Sequence, residues 1–382
     1  HTVRYGVTPA HAVLFGPVDT ATESFLGLLD GTRALPALRR AATALGLADG
    51  AADRLTEQLA AAGVLDDATA EREAACRVTD GLRPDLATLS LLHPEPGEGL
   101  RRLLARGRTR VQVRGAGRVG VAVAAALVEH HAALEGEGRL LVARGEVDAD
   151  EAGVLQGPAL AQAGVGEVEV VDGGRVEPED LLPAGLRPQD AGQRRSDAAR
   201  RVVRAAGAWR ARPPAAAGAS REGTRLVVLA PRDGLTAYAP DPAAAEELME
   251  AGTPHLYAGV VEATGFVGPL VLPGVTGCAD CMLRERAARE PAWPLLVGQW
   301  RNARRAGVPA CDGALATAVA GLTACAALSF LDGSAPPGPA VRTEVALPGP
   351  ATSCREIQPH PECACQAALS TRPPPARSTM NG

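Results

Sequence analysis

Four cysteines near the end of the chain constrain its fold more than any other feature. Cys278 and Cys281 form a C-x-x-C pair, and Cys363 and Cys365 form a C-x-C pair far downstream. Two close thiol pairs of this kind bring four soft ligands to one tetrahedral Zn²⁺, so two segments distant in sequence must meet in space. Four thiolates leave no open coordination position, and the metal expected here is structural. The alternative, four reduced thiols in surface loops, fits poorly with the turns that Gly277 and Pro361 place beside both pairs. His360 is read as orienting its loop rather than as a ligand. Cys76, Cys311, Cys325 and Cys354 are read as buried or incidental thiols. Cys311, beside Asp312, lacks the electropositive setting of a catalytic thiol.

Eight cysteines in 382 residues are too sparse for a disulfide scaffold. That length allows two or three domains with ample core. Aromatic residues make up only 3%, so the core must rest on Ala, Val and Leu. The formal net charge is −5 with no basic block, which gives no support to a nucleic-acid partner. The apolar run at 314–331 contains Thr317 and Thr323 and reads as a buried helix rather than a membrane span. No signal-peptide pattern opens the sequence. The expectation is a cytoplasmic protein that engages no membrane.

Residues 1–92 read as a small winged-helix-like α+β domain. Short strands are expected at 3–7 and 12–15, then helices at about 20–29, 35–44 and 51–62, where Leu55 and Leu59 lie one turn apart. Thr20 or Thr22 is the expected cap of the first helix. A Pro- and Gly-bearing stretch reads as a linker at 93–104. The second domain, 105–370, opens with a strand at 110–113, the turn Gly115-Ala116-Gly117-Arg118-Val119-Gly120, and a helix at 121–131. This G-x-G-x-x-G turn lets backbone N–H groups approach a phosphate at a helix N-terminus. The bland reading is that the three glycines only permit a tight turn and close packing. Strands follow at 168–171, ending in Asp172, at 226–230 and within 254–260. Asp172 suits a ribose hydroxyl, or equally a loop cap. An insertion at 132–162 explains its distance from the glycines, which exceeds the usual twenty or so residues. Strands alternating with helices predict a Rossmann-like, mostly parallel sheet with a zinc-stapled C-terminal part. The tail at 371–382 reads as disordered.

The order of these features, G-x-G-x-x-G, a later strand ending in Asp, then C-x-x-C and C-x-C, resembles the ThiF/MoeB superfamily of ubiquitin-activating-type adenylyltransferases. Val171–Leu181 looks like its stretch from the ribose-binding acid to the "SNL" loop, and Asp190–Arg195 like its "D-x-G-K-x-K" segment. Gly268–Thr276, Glu290–Pro294 and His360–Cys365 resemble a divergent actinobacterial branch that accompanies biosynthesis of ribosomally made, modified peptides, thiazole/oxazole-containing ones among them. The resemblance covers roughly 105–370. It implies a homodimer, and it implies nucleotide contacts at Gly115, Gly117, Gly120 and Asp172.

The N-terminal domain then resembles a PqqD-like precursor-peptide recognition element. The resemblance implies that a leader peptide adds as an extra strand, over a pocket near Val13, Leu14, Phe15, Leu55 and Leu59. A plain dimerisation module is the alternative. Three departures from the family pattern imply a degenerate ATP/Mg²⁺ site. Leu182-Pro183-Ala184 stands where the family has Arg, Arg195 replaces the second Lys, and Arg232 replaces the Mg²⁺-binding acid of "D-A-T-D-N". Asp233 is one position late. The implied function is a leader-binding partner that delivers a peptide to a separate enzyme, such as a YcaO-type cyclodehydratase. The alternative is an active peptide adenylyltransferase using Arg195 and Asp233. A nicotinamide-dependent oxidoreductase would also use the glycines and Asp172, but it leaves the cysteine frame unexplained.

Overall fold

The computed structural model describes residues 1–66, 78, 82–127, 163–181, 186–207, 224–232, 234–302, 310–334, 339–349 and 351–366. The insertion read at 132–162, the tail at 371–382, Leu182-Pro183-Ala184 and Asp233 lie outside these residues. The chain divides into two compact units, His1–Arg106 and Gly107–Gly382.

In the first unit β1 (Val3–Tyr5) pairs antiparallel with β2 (Val13–Phe15), Val3 opposite Phe15 and Tyr5 opposite Val13. Three helices follow, α1 (Thr20–Leu26), α2 (Leu35–Ala44) and α3 (Ala51–Ala61). The cap of α1 is Asp19, not Thr20 or Thr22: its carboxylate accepts the Thr22 N–H at 2.7 Å. A carboxylate there also sits favourably at the positive end of the helix. Phe25, Leu38, Ala42 and Ala52 bury a small core between the three helices. Two more helices, α4 (Arg83–Leu92) and α5 (Glu98–Arg106), complete the unit.

Helix α5 occupies much of the stretch read as a linker at 93–104. Pro94 and Gly97 make only the turn into it, and Leu100 and Leu103 are buried against Leu89. Gly99 is a packing contact: a Cβ there would lie 2.5 Å from Ser90 Oγ. A residue that reads as flexibility in sequence is close helix–helix approach in three dimensions.

The second unit is a seven-stranded sheet in the order β4-β3-β5-β6-β7-β8-β9. The strands are β3 (Arg110–Arg114), β4 (Glu167–Val171), β5 (Leu226–Leu229), β6 (His255–Val261), β7 (Thr264–Val271), β8 (Ala340–Ala346) and β9 (Ala351–Ile357). Strand β3 is parallel to both β4 and β5, and β5 is parallel to β6. From β6 to β9 the pairing is antiparallel. Val111 and Val113 on β3 share one face and are fully buried, alternating with the half-buried Arg110, Gln112 and Arg114. Helices α6 (Arg118–Leu127), α7 (Arg195–Gly207), α8 (Ala279–Arg289), α9 (Trp293–Asn302) and α10 (Gly313–Leu331) accompany it. By length and composition alone α10 is long and apolar enough to cross a membrane. In this fold its Leu315, Ala316, Val319 and Ala320 are buried in the core shared with α6, β6 and β7.

Of the antiparallel half of the sheet, the sequence reading places only the strand within 254–260, which is β6, and not β7, β8 or β9. Strands β6 and β7 are joined through Glu262 and Ala263, both at positive φ (48° and 60°). Such a two-residue turn usually advertises itself with Asn-Gly or Asp-Gly, and here it does not.

Candidate functional site

The four-cysteine frame closes as its spacing requires. Cys278 caps α8 and Cys281 lies in its first turn, while Cys363 and Cys365 come from the segment after β9. Their sulfurs all lie within 4.8 Å of one another, and all four residues are buried. Cys278 Sγ is 3.8 Å from Cys281 Sγ and 3.5 Å from Cys363 Sγ, and Cys281 Sγ is 3.5 Å from Cys365 Sγ. A tetrahedron with Zn–S bonds of about 2.3 Å has S···S edges of roughly 3.8 Å, so this donor set fits Zn²⁺. A hydrogen bond from the Cys278 thiol, opposed by burial and helped by the His360 N–H, lowers the Cys281 thiol pKa and raises that of Cys278. Thiolate character is what a metal ligand needs. The His360 backbone N–H reaches Cys281 Sγ at 3.2 Å, while its ring Nδ1 accepts from Glu362 N. His360 thus orients the loop through its backbone. Tyr257, Phe266 and Val271 pack around the centre, in the same apolar cluster as the cysteines.

The glycine turn lies at the C-terminal end of β3, where α6 begins. Gly115 is at φ 116°, and a Cβ on it would lie 2.0 Å from the Ala230 carbonyl oxygen. A Cβ on Gly120 would lie 2.1 Å from the Gly115 oxygen. Both positions are closed to any other residue. Gly117 faces Arg232, whose Cα would be 3.0 Å from an added Cβ.

Asp172 sits at the end of β4 and is heavily engaged. It accepts from Ala116 N (2.9 Å), Gly174 N (2.7 Å) and Arg195 Nε (3.0 Å). Of roughly four lone-pair sites on a carboxylate, about one remains for a ribose hydroxyl. Arg195 also donates to the Arg175 carbonyl (2.7 Å) and reaches Asp180 (3.4 Å). Arg232 ion-pairs with Asp180 and with Glu177, each at 2.5 Å. Arg118 donates to the carbonyls of Glu179 (2.6 Å) and Cys311 (2.9 Å). The arginines around the glycine turn, Arg118, Arg195 and Arg232, are therefore directed at the protein's own acids and carbonyls. Beside them, an open cleft of about 490 Å³ is lined by Gly115, Asp172, Arg195, Arg232, Tyr257 and neighbouring residues. The Tyr257 hydroxyl is buried there without a hydrogen-bond partner among the described residues.

Sequence reasoning named Gly115, Gly117, Gly120, Asp172 and Arg195, and the fold brings them together at one end of the sheet. It did not name Glu177, Asp180 or Tyr257 as site residues. A run of three acids at Glu177, Glu179 and Asp180 was the available signal, and only the fold shows that it faces Arg232. In the first unit Leu14 is 70% exposed and Val13 and Phe15 are half-buried, whereas Leu59 is 1% exposed. Leu55 packs with the Phe25 cluster.

Fold and site together define a Rossmann-like α/β protein with a nucleotide-type glycine turn and a four-cysteine staple. Residues 153–366, more than half of the chain, match the ThiF family, and the chain belongs to it. Among solved structures, the microcin C7 biosynthetic enzyme MccB in complex with N-formylated MccA is similar, with a TM-score of 0.59 at 14% identity. That alignment covers 96% of this chain and 97% of the other. E. coli MccB with ATP gives a TM-score of 0.58 at 14% identity and the same coverage. PaaA gives 0.55 at 15% identity, covering 94% of this chain and 99% of the other. At such identities the likeness is one of fold. Comparison with curated proteins gave no match.

Proposed function

We propose that this ThiF-family chain is a leader-peptide-binding partner in the modification of a ribosomally made peptide, with a nucleotide cleft that no longer adenylates. The observation that carries the reading is Arg232. It stands at the end of β5, packs against Gly117 of the glycine turn, and is held by Asp180 and Glu177. A carboxylate at that position would ligate Mg²⁺, whereas a guanidinium repels it. The likeness in fold to MccB, solved with N-formylated MccA and with ATP, supports a peptide ligand for this chain.

In this reading the β1–β2 ribbon is a PqqD-like recognition element, and the leader pairs with it as an added strand. The exposed Leu14 meets the leader's side chains. Zn²⁺ on Cys278, Cys281, Cys363 and Cys365 is structural, the protein is a cytoplasmic homodimer, and the peptide passes to a separate enzyme of the YcaO type. The open cleft beside Gly115 and Asp172 favours a second reading, an active peptide adenylyltransferase.

Two assays on the zinc-loaded protein separate the readings. A labelled leader peptide should bind without ATP, and Leu14→Asp should weaken it about tenfold, the order of one lost apolar contact. Pyrophosphate release from Mg·ATP should stay at background with the full precursor. Peptide-dependent release would move the assignment to the adenylyltransferase. Unchanged leader affinity in Leu14→Asp would move the peptide site off the ribbon.

A further inference from the structure

The two halves of the four-cysteine centre are carried by segments that the sheet itself brings together. Cys278 comes after β7 and Cys363 after β9, and these strands flank β8 on either side. The segments also meet through their backbones. A Cβ on Gly277 would lie 2.7 Å from the Ile357 carbonyl oxygen and 3.0 Å from that of Gln358. The His360 N–H reaches Cys281 Sγ at 3.2 Å, and Arg284 of α8, paired with Asp280, lies 3.7 Å from Glu362. None of these contacts passes through a metal. The fold gathers the sulfurs, and a metal fastens them.

The sulfurs approach most closely across the two segments. Cys278 to Cys363 and Cys281 to Cys365 are each 3.5 Å, against 3.8 Å within the C-x-x-C pair. A disulfide bond is about 2.0 Å long, so each cross pair needs to close by roughly 1.5 Å, shared between two side chains. Pairing within segments would instead ask Cys363 and Cys365, one residue apart, to close a small strained ring. Pairing across engages all four sulfurs without that ring. The partners are 85 and 84 residues apart in sequence. Loops of that length are where a cross-link most restricts the unfolded chain.

We propose that this centre is a redox-sensitive staple with two closed forms. In one, the four sulfurs hold a metal ion; in the other, they form the disulfides Cys278–Cys363 and Cys281–Cys365. The oxidant is a peroxide. One thiol attacks a peroxide oxygen, the O–O bond breaks, and a sulfenic acid and one water result. The facing thiol then displaces the sulfenic oxygen as a second water, so two electrons and two protons leave each cysteine pair. Cys365 is 8% exposed and Cys281 is 0% exposed. In that pair the first attack falls to Cys365, and Cys281 closes the bond. Sulfurs joined in this way no longer hold a metal, yet α8 stays tied to the segment after β9.

The test uses the full zinc-loaded chain carrying Cys325→Ser and Cys354→Ser, because those two thiols are exposed and would compete. Hydrogen peroxide is titrated in, zinc release is followed with a chromogenic chelator, and disulfides are mapped by non-reducing peptide mass spectrometry. Zinc should leave in step with the appearance of both cross-segment disulfides. The oxidised chain should melt above the reduced chain stripped by chelator, and dithiothreitol with Zn²⁺ should restore the starting protein. The mapping is repeated on the stripped chain, where no metal protects the thiols. A Cys278–Cys281 disulfide as the main product in both samples overturns the cross pairing. Sulfinic acids without disulfides in both overturn the second closed form. An oxidised chain that melts no higher than the stripped, reduced one overturns its role as a staple. Neither a leader peptide nor a nucleotide enters the assay, so its outcome is independent of the functional reading above.

Discussion

Arg232 carries more of the account than any other side chain, and its two acidic partners are not equivalent. Asp180 is 3% exposed on its side chain, whereas Glu177 is 54% exposed. A charged hydrogen bond to a buried acid is worth about 2 kcal/mol, an exposed pair about 0.5 kcal/mol. Arg232→Ala should therefore lower stability by about 2 kcal/mol in urea unfolding, and Glu177→Gln by about 0.5 kcal/mol. Equal losses would mean that Arg232 is not anchored on Asp180. His255, fully buried on β6, sets a pH dependence. Its Nδ1–H donates to the Thr253 carbonyl at 3.1 Å, and Nε2 has no partner among the described residues. Burial lowers its pKa from 6.5. The unfolded chain then holds more protons than the native one below about pH 6.5, so stability falls as pH drops through that value. The slope from this group is at most about 1.4 kcal/mol per pH unit. His255→Leu should flatten that part of the stability–pH curve, and an unchanged slope would assign it to other groups.

At the scale of elements, sequence and structure agree where the chemistry is local. The cysteine frame was legible because soft-ligand spacing has few other uses. The β3–α6 crossing was legible because Gly115 and Gly120 tolerate no Cβ. Strands β7, β8 and β9 were not. Their turn uses Glu262 and Ala263, β7 contains Pro269, and β9 is polar and exposed along nearly all its length. Neither Pro269 nor the burial of Arg342 in β8 follows any strand periodicity. Likewise the Arg232 substitution was visible in sequence, but its acceptors come from a different part of the fold. The four-cysteine centre ties α8 to the segment after β9, so losing one of its thiols should loosen both. Cys281→Ser should cut bound zinc well below one equivalent and lower the melting temperature, read by metal analysis and calorimetry. Full zinc content in that variant would remove Cys281 from the ligand set.

For the whole molecule, two units of different character stand in one chain. The first is a small strand ribbon with five helices among its described residues, and the second is a ThiF-family sheet stapled by four cysteines. In the proposed function, joining a peptide-recognition unit to a scaffold raises the effective concentration of a substrate without new chemistry, and such a division of labour does not require a working nucleotide site. The central claim is that the cations around the glycine turn are turned on the protein's own acids. Calorimetric titration of Mg·ATP into the zinc-loaded protein tests it most directly. The account predicts no saturable heat at high protein concentration. One-to-one binding would contradict it and return the cleft beside Gly115 and Asp172 to nucleotide chemistry.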